Sequence, residues 1–336
     1  MKKILILFIL LLIIPASGCA AKKEVSLSGR TMGTFYNIKL ITGYHDDLEG
    51  LQTKIDARLD EINHSMSVFR KDSEISTFNT LDAHITLPVS QDFLTVLKTA
   101  KIIHQQTRGS WDGTVGPLVD LWGFGKTGNV RKIPPAEKIR ALLQKTGFQH
   151  IEIHPDNKIS KNMADISLTL ASIAKGYGVD QIAQLIEQNK IKNYLVEIGG
   201  EVFAKGRRLD GKKWRVGINR PEKGAPYTEV YKIVPLENNA LATSGDYRNF
   251  FERDGKIYSH ILDPKTGFPV SNQVVSVTII ADTCTYADGL ATAVTVMGPQ
   301  KGLELINQLP DVEGFIITME NGRLVDHFSD GFQTEP

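Results

Sequence analysis

Apolar residues recur at helical spacing in some segments of the chain and at strand spacing in others. Over 46–66 they lie three or four positions apart, which predicts an amphipathic helix. Segment 29–40 begins with turn residues and then alternates, which predicts a strand. Further helices are predicted from Ser90, from Pro134 to Gly147, and over about 173–189, 284–297 and 299–308. Further strands are predicted over 150–154, 164–168, 194–198, 214–218, 227–234 and 274–280, with a last strand pair near 313–326.

This order of elements favours one fold class. Helices and strands are interspersed without a strict βαβ rhythm, and hairpin-like strand runs dominate residues 201–280. We therefore expect an α+β fold of mixed or antiparallel sheets with packed helices, rather than a doubly wound parallel sheet. No Gly/Ser-rich or Pro-rich linker divides the chain, so we expect one compact two-lobed unit over residues 29–330.

The first residues have the pattern of an export signal. Lys2 and Lys3 precede an apolar run of 11 residues, which is too short to span a bilayer because that takes about 20 residues. The following sequence, Pro15-Ala16-Ser17-Gly18-Cys19, resembles a bacterial lipobox. We expect a signal peptide over 1–18, lipid attachment at Cys19, a tether over 19–28 and a membrane-anchored lipoprotein that faces the periplasm. The alternative is a plain secretory peptide with an incidental cysteine.

Composition narrows the function further. The formal net charge of the 336 residues is +1, which gives no support for nucleic-acid binding, since that normally needs a basic excess. The chain has two cysteines, Cys19 and Cys284. With Cys19 lipidated, Cys284 has no partner for a disulfide, and we expect it to be a buried bystander rather than a catalytic thiol.

Two C-terminal segments carry the residue types of phosphate chemistry. His260 and Asp263 precede Pro264 and Gly267 on a stiff loop, and Asp288 and Thr292 lie four residues apart in a segment of helical pattern. A histidine beside two hard oxygen ligands indicates chemistry on a phosphate with a magnesium ion. The structural alternatives are a capping box from Thr285 to Asp288, a Thr292 hydroxyl bonded back to a carbonyl, and a histidine that only stabilises the fold.

Glycine-rich turns and one aromatic segment complete the candidates. Glycines in 173–178 and 198–201 would let backbone N–H groups approach an anion, although each turn alone is a weak signal. The chain has no Walker A sequence, and no G-x-G-x-x-G follows a strand with an acidic residue beyond it, which argues against P-loop hydrolases and Rossmann dinucleotide binders. Segment 111–125 combines tryptophans, glycines and a proline. It either fills the core as a structural loop, which we favour, or grips a planar ring.

Several motifs occur together in a characteristic order. They are Met32-Gly33-Thr34, the run from Asp112 to Leu118, the run from Ile173 to Tyr177, Gly199-Gly200-Glu201, the run from His260 to Gly267 and the run from Ala287 to Ala293. Together they resemble the ApbE family of FAD:protein FMN transferases, over about residues 29–330. The resemblance implies an ApbE-like fold with FAD in a cleft and Mg²⁺ at its pyrophosphate.

The resemblance also implies a set of site residues. The Mg²⁺ ligands would be Asp288, Thr292 and the backbone carbonyl of Ser172. The residues in contact with FAD would be Met32, Phe69, Trp111, Asp112, Gly113, Thr169, Lys175, His260 and Ile261. The chain has Thr169 where many members have an aspartate, so any cofactor contact made by that carboxylate is in doubt, and it has Phe69 where some have tyrosine.

The implied reaction transfers FMN from FAD to a Thr or Ser hydroxyl of an acceptor protein and releases AMP. His260 would orient or deprotonate the hydroxyl, and Lys175 would bind phosphate or assist the leaving group. The implied acceptors are flavoprotein subunits of membrane respiratory complexes. A Mg²⁺-dependent FAD pyrophosphatase, an FAD-binding lipoprotein without turnover and a generic solute-binding lipoprotein stay open as alternatives.

Overall fold

A computed structural model describes residues 22–125, 131–226, 228–245 and 249–334. The expected signal peptide and Cys19 lie outside these ranges. Within them, no helix combines the length and the apolar character needed to cross a membrane.

Helices and strands are mixed along the chain. The helices of the described ranges are α1 Leu51–Met66, α2 Glu74–Thr80, α3 Gln91–Gln106, α4 Gly116–Leu121, α5 Ala136–Leu143, α6 Ala174–Gln188, α7 Cys284–Met297 and α8 Pro299–Ile306, with a 3-10 turn at Phe148–His150. The strands there are β1 Lys22–Thr31, β2 Thr34–Gly43, β3 Leu87–Pro88, β4 Ile151–His154, β5 Lys158–Lys161, β6 Tyr194–Ile198, β7 Glu201–Lys205, β8 Trp214–Asn219, β9 Val230–Leu236, β10 Asn239–Gly245, β11 Phe250–Arg253, β12 Lys256–Ser259, β13 Val274–Ala281, β14 Glu313–Glu320 and β15 Arg323–Phe328.

One large antiparallel sheet organises the molecule. In the described part of the chain its order is β1-β2-β6-β7-β10-β13-β14-β15. Alternate residues of each strand serve opposite faces. Ala240 and Ile316 belong to cores on the helical face with α1, α6, α7 and α8, whereas Leu241 and Phe315 belong to the core under the β8–β9 hairpin. The predicted α+β class is therefore confirmed.

A second core lies beside the sheet. It joins α2, α3 and the end of α1 to the small sheet β3-β5-β4 and to the buried side chains of Ile166, Leu168, Leu170 and Ile173. The strand predicted over 164–168 is wrong, because this segment is a turn followed by irregular chain. Ile166 and Leu168 are buried, but the Asn79 side chain, not a neighbouring strand, bonds both the N–H and the C=O of Leu168, at 2.7 and 2.9 Å.

The tether predicted over 19–28 also needs correction. Residues 22–28 form most of β1, which pairs with β2 from Lys22↔Gly43 to Thr31↔Thr34. The charged residues at the start of this segment obscured a strand pattern in which Val25 and Leu27 alternate with polar residues and pack against the core. The folded domain thus begins no later than Lys22.

Candidate active site

A cavity of about 470 Å³ lies between the start of α6, the middle of α7 and the loops that contain residues 110–125 and 260–264. This is the size of a small-molecule site. The predicted site residues that line it are Phe69, Trp111, Asp112, Thr169, Ser172, Lys175, His260, Ile261, Asp288 and Thr292. Residues that are distant in sequence thus share one space, and only Met32 and Gly113 among the predicted FAD and metal contacts lie off its wall.

The close crossing of α6 and α7 forms one side of the cavity. Each helix carries a carboxylate that bonds to the first turn of the other. Asp180 of α6 accepts hydrogen bonds from the N–H groups of Cys284 and Thr285, both at 2.8 Å, and Asp288 of α7 accepts one from the N–H of Gly176 at 3.0 Å. A Cβ at Gly176 would overlap the Cys284 carbonyl oxygen, so the crossing requires glycine.

The capping box considered from Thr285 to Asp288 does not form. Thr283, not Thr285, caps α7, because its side chain accepts a hydrogen bond from the N–H of Tyr286. The Thr285 hydroxyl instead donates to Asp180, and Asp288 stabilises the start of the neighbouring helix. Asp288 and Thr292 are therefore left facing the cavity from α7, four residues apart.

Three charged side chains form a buried ionic cluster at this crossing, which we define as Lys175, Glu201 and Asp288. The Lys175 ammonium forms an ion pair with Glu201 and lies 3.8 Å from Asp288 Oδ1. Burial alone would lower the pKa of Lys175, but the charges of Asp288 and Glu201 outweigh it and raise that pKa, so the ammonium stays charged.

Glu201 is the least satisfied member of the ionic cluster. It is 3% exposed, and its Oε2 has no hydrogen-bond partner among the described residues. Burial raises its pKa, although the Lys175 charge opposes that rise. With both carboxylates ionised the cluster carries one excess negative charge, which a bound cation would offset.

The oxygen atoms nearby suit a hard cation such as Mg²⁺. Asp288 offers a carboxylate, and the Thr292 hydroxyl lies 3.1 Å from that of Ser244. The Ser172 carbonyl accepts no hydrogen bond from the described residues, since the N–H of Gly176, four residues on, donates to Asp288 instead. Described residues contain no cluster of three or more His, Cys, Asp or Glu arranged for a metal. Carboxylate, hydroxyl and carbonyl oxygens fit Mg²⁺ and disfavour softer metals.

His260 lies on another wall of the cavity. Its Nδ1 is 3.1 Å from the Asn249 carbonyl oxygen, an acceptor that fixes Nδ1 as the protonated nitrogen and leaves Nε2 as a proton acceptor. Burial lowers the pKa of His260, the Asn249 hydrogen bond opposes this, and the positive charge of Arg131 lowers the pKa further. The imidazole is therefore neutral at pH 7, as a general base must be.

The tryptophans of segment 111–125 and the ring of Phe69 have different roles. Trp111 and Trp122 are buried, and their indole N–H groups donate to the Ser172 hydroxyl at 3.1 Å and to the Gly267 carbonyl at 2.9 Å. The tryptophans thus fill the core, as the structural interpretation of 111–125 predicted. Phe69 is the exposed ring at the cavity, with 75% of its surface accessible.

Asp112 lines the cavity but uses its carboxylate inside the protein. Oδ1 accepts hydrogen bonds from the N–H and hydroxyl of Thr114, at 2.8 and 2.6 Å, and Oδ2 accepts one from the N–H of Phe148 at 2.9 Å. These bonds hold the turn that carries Trp111. The carboxylate therefore has a structural task besides any contact with a ligand.

Met32 and Gly113 support the wall from behind. Met32 lies in the β1–β2 turn at φ 50° and packs into two cores, with its Cε 3.0 Å from the place of a Cβ on Gly178. The Gly113 carbonyl accepts the N–H of Thr169 at 2.7 Å, so Thr169 holds the two cavity loops together through its backbone. That bond needs no particular side chain at position 169.

Several residues that line the cavity were not predicted as site residues from the sequence, and Glu201 is the most important of them. It follows the β6–β7 turn, where Gly199 and Gly200 have φ of 63° and 107°. A carboxylate directly after a glycine pair in a strand hairpin was the available signal. Asn79, Phe124 and Ser244 also line the cavity, and Cys284, which is buried with a raised pKa, does not. Nothing in the local sequence distinguishes Asn79 or Ser244.

Comparison with known proteins identifies the family of this chain. The model of the ApbE family matches residues 32–316, and the chain belongs to that family. It is 46% identical to an FAD:protein FMN transferase of Vibrio cholerae serotype O1 over 88% of each chain, and 39% identical to one of Haemophilus influenzae over 89% of this chain and 88% of that one.

Solved structures agree. The flavin transferase ApbE from Vibrio cholerae superposes with a TM-score of 0.84 at 41% identity, covering 93% of this chain and 98% of that chain. The apo form of the Pseudomonas stutzeri flavinyl transferase ApbE gives 0.84 at 35% identity, covering 92% and 95%. The expected ApbE-like fold is therefore confirmed.

Proposed function

We propose that this chain transfers FMN from FAD to a Ser or Thr hydroxyl of an acceptor protein, releases AMP and depends on Mg²⁺. Relatives that share most of its length are named for the transfer of FMN from FAD to protein. The observation that carries the proposal is that one cavity is lined both by a neutral histidine, whose Nε2 has no hydrogen-bond partner among the described residues, and by the ionic cluster at the start of α6.

His260 acts on the acceptor. As the hydroxyl oxygen attacks the FMN-side phosphorus, its proton passes to Nε2, a P–O ester bond forms and the bond to the AMP phosphate oxygen breaks. The Nδ1–H bond to Asn249 keeps the ring in the tautomer that accepts this proton. Phosphoryl transfer of this kind depends mainly on positioning and charge neutralisation.

Lys175 and the first turn of α6 act on the phosphates. The ion pair with Glu201 holds the ammonium beside the cavity, where it attracts phosphate oxygens and offsets charge on the departing AMP. The N-terminus of α6 adds a favourable dipole. When bound, Mg²⁺ would neutralise charge on the pyrophosphate, held by Asp288, Thr292 and the Ser172 carbonyl.

We also propose that Cys19 carries a lipid, that the domain faces the periplasm and that its acceptors are membrane respiratory subunits. The lipobox-like sequence before Cys19 supports this placement. Metabolic labelling with a fatty acid should label the parent protein and leave a Cys19→Ser variant unlabelled. A parent protein without label would contradict the anchor.

Incubation of the purified protein with FAD, Mg²⁺ and a candidate acceptor, followed by mass spectrometry of the acceptor, tests the activity. We expect an FMN adduct on a Ser or Thr and one AMP released per adduct. Incubation with FAD and Mg²⁺ alone is the control. Release of FMN and AMP at the same rate without an acceptor would identify a pyrophosphatase instead.

A further inference from the structure

A second cavity adjoins the site. Its volume is about 570 Å³, and it shares Ser110 and Val296 with the first cavity. We call it the side groove and define it by the C-terminal ends of α3 and α7, by α8 and by the loop of Asp263 and Lys265. A third cavity, of about 280 Å³, shares no lining residue with the first. The side groove is thus the larger of these two neighbours and the one continuous with the site.

The side groove is lined by exposed cations that have no ionic partner in the described part of the chain. Arg108, Lys265 and Lys301 form no ion pair with any described residue. Its two acidic residues are engaged locally, because Asp263 accepts a hydrogen bond from the N–H of Lys265 at 2.9 Å and Glu304 accepts one from Gln300 at 3.2 Å. With three cations and two carboxylates, the groove lining carries a net charge of +1 beside the site.

The cations come from separate elements but lie close together. Lys265 belongs to the loop that follows His260, yet its Cε is 4.0 Å from where a Cβ on Gly109 would be, next to Arg108. Lys301 reaches the same groove from α8. Because the three cations belong to three separate elements around a groove of about 570 Å³, a ligand that contacts all of them has to bridge these elements, which a peptide segment can do.

We propose that the side groove binds the acceptor polypeptide as an extended acidic segment next to the Ser or Thr that receives FMN. This inference rests on the proposed transfer, because FAD would fill the first cavity and the hydroxyl must then enter from a space continuous with it. Complementary charge at such a rim speeds encounter and selects partners. The chemical class of the partner is an acidic peptide segment with a hydroxyl side chain.

Binding of two matched synthetic peptides tests the proposal. Both carry one threonine and a fluorescent label, with aspartates as flanking residues in one and lysines in the other. Fluorescence anisotropy measures their affinity for the full-length protein saturated with FAD and Mg²⁺. We expect the acidic peptide to bind about tenfold more tightly at low ionic strength, with the difference shrinking as salt is added.

Charge reversal assigns the binding to the groove. In the triple variant Arg108→Glu, Lys265→Glu, Lys301→Glu the preference for the acidic peptide should vanish or reverse. A control triple variant, Lys54→Glu, Lys212→Glu, Lys256→Glu, makes the same change in charge at exposed lysines outside the groove lining and should keep the preference. FAD affinity, measured by flavin fluorescence, should be unchanged in both, which shows that the variants fold.

The results separate this inference from the transfer itself. Equal affinity for the two peptides, no binding of the acidic one, or a preference that survives groove reversal would overturn the proposal. Absence of an FMN adduct on any acceptor would overturn the proposed function, and it is measured independently of peptide affinity. Loss of preference in the groove variant alone supports the side groove as the acceptor site.

Discussion

The two walls of the cavity are built in opposite ways. The ionic cluster is buried, and it is held by a helix crossing in which each helix bonds to the first turn of the other. His260 and Phe69, an exposed ring, lie on loops that form other parts of the cavity lining. Removing a charged partner from a buried ion pair is costly, whereas an exposed ring contributes only contact area. We therefore expect the largest effect from substitution of a charged residue in the ionic cluster and the smallest from loss of the exposed ring.

The largest expected effect comes from Asp288→Asn. The change keeps an oxygen for the N–H of Gly176 but removes the charge proposed to hold Mg²⁺, so transfer should drop about a thousandfold, as loss of several kcal/mol of metal stabilisation implies. Titration of the transfer rate with Mg²⁺ measures this. Asp254→Asn, at an exposed turn, is the control. Full Mg²⁺-dependent transfer in Asp288→Asn would remove the metal assignment.

His260→Ala should slow transfer about a hundredfold or more, the range of general-base catalysis, while FAD affinity is largely kept. His45→Ala, at an exposed position, serves as control. A collapse of FAD affinity in His260→Ala would make the residue a binding group and not a base.

The pH profile of transfer should report the same residue. Because the pKa of His260 is lowered, its neutral form persists to a lower pH than in a free histidine, whose pKa is about 6.5. The rate should be flat above about pH 6.5 and should fall tenfold per pH unit only below the lowered pKa. His260→Ala should lose this dependence. A parent rate that still rises between pH 7 and 8 would point to another base.

Lys175→Met should destabilise the fold by about 3–5 kcal/mol, since it leaves buried carboxylates without their cation. Adding Glu201→Gln should restore part of that loss, because it removes one of the unpaired charges. Urea unfolding of the two single variants and the double variant measures the coupling. Additive losses would mean that the two residues do not depend on each other.

The smallest expected effect is at Phe69. Phe69→Ala should weaken FAD binding about 2- to 10-fold, which corresponds to 0.5–1.5 kcal/mol for one aromatic contact. Phe69→Tyr keeps the ring and should bind FAD like the parent. A loss of FAD affinity in Phe69→Ala as large as the loss of transfer rate expected for Asp288→Asn would contradict the expected difference between the two walls.

Sequence patterns predicted the features that depend on residues close together in the chain. The spacing of apolar residues predicted α7 at 284–297 and β6 at 194–198, the bounds that the structure has. Ser90 caps α3 as predicted, since its hydroxyl accepts the N–H of Phe93 at 3.2 Å. The motif that contains Asp288 and Thr292 was likewise visible, because a four-residue spacing puts both on one helix face.

The sequence did not reveal the side-chain contacts between residues that are distant in the chain. Lys175 and Glu201 meet only because the β6–β7 hairpin returns the chain to the start of α6, and nothing near either residue encodes that pairing. Asp288 likewise bonds to a helix more than a hundred residues earlier. The segment 164–168 looked like a strand because its buried residues Ile166 and Leu168 alternate with polar ones, a pattern that burial produces whether or not a sheet forms.

The early start of β1 sets a mechanical limit on the proposed anchor. Residues 20 and 21 alone separate Cys19 from Lys22, and three extended residue steps reach at most about 11 Å. A lipid on Cys19 would therefore hold β1, the edge strand of the large sheet, close to the lipid headgroups. The enzyme would search for partners in two dimensions, and acceptor sites close to the membrane surface would be within its reach.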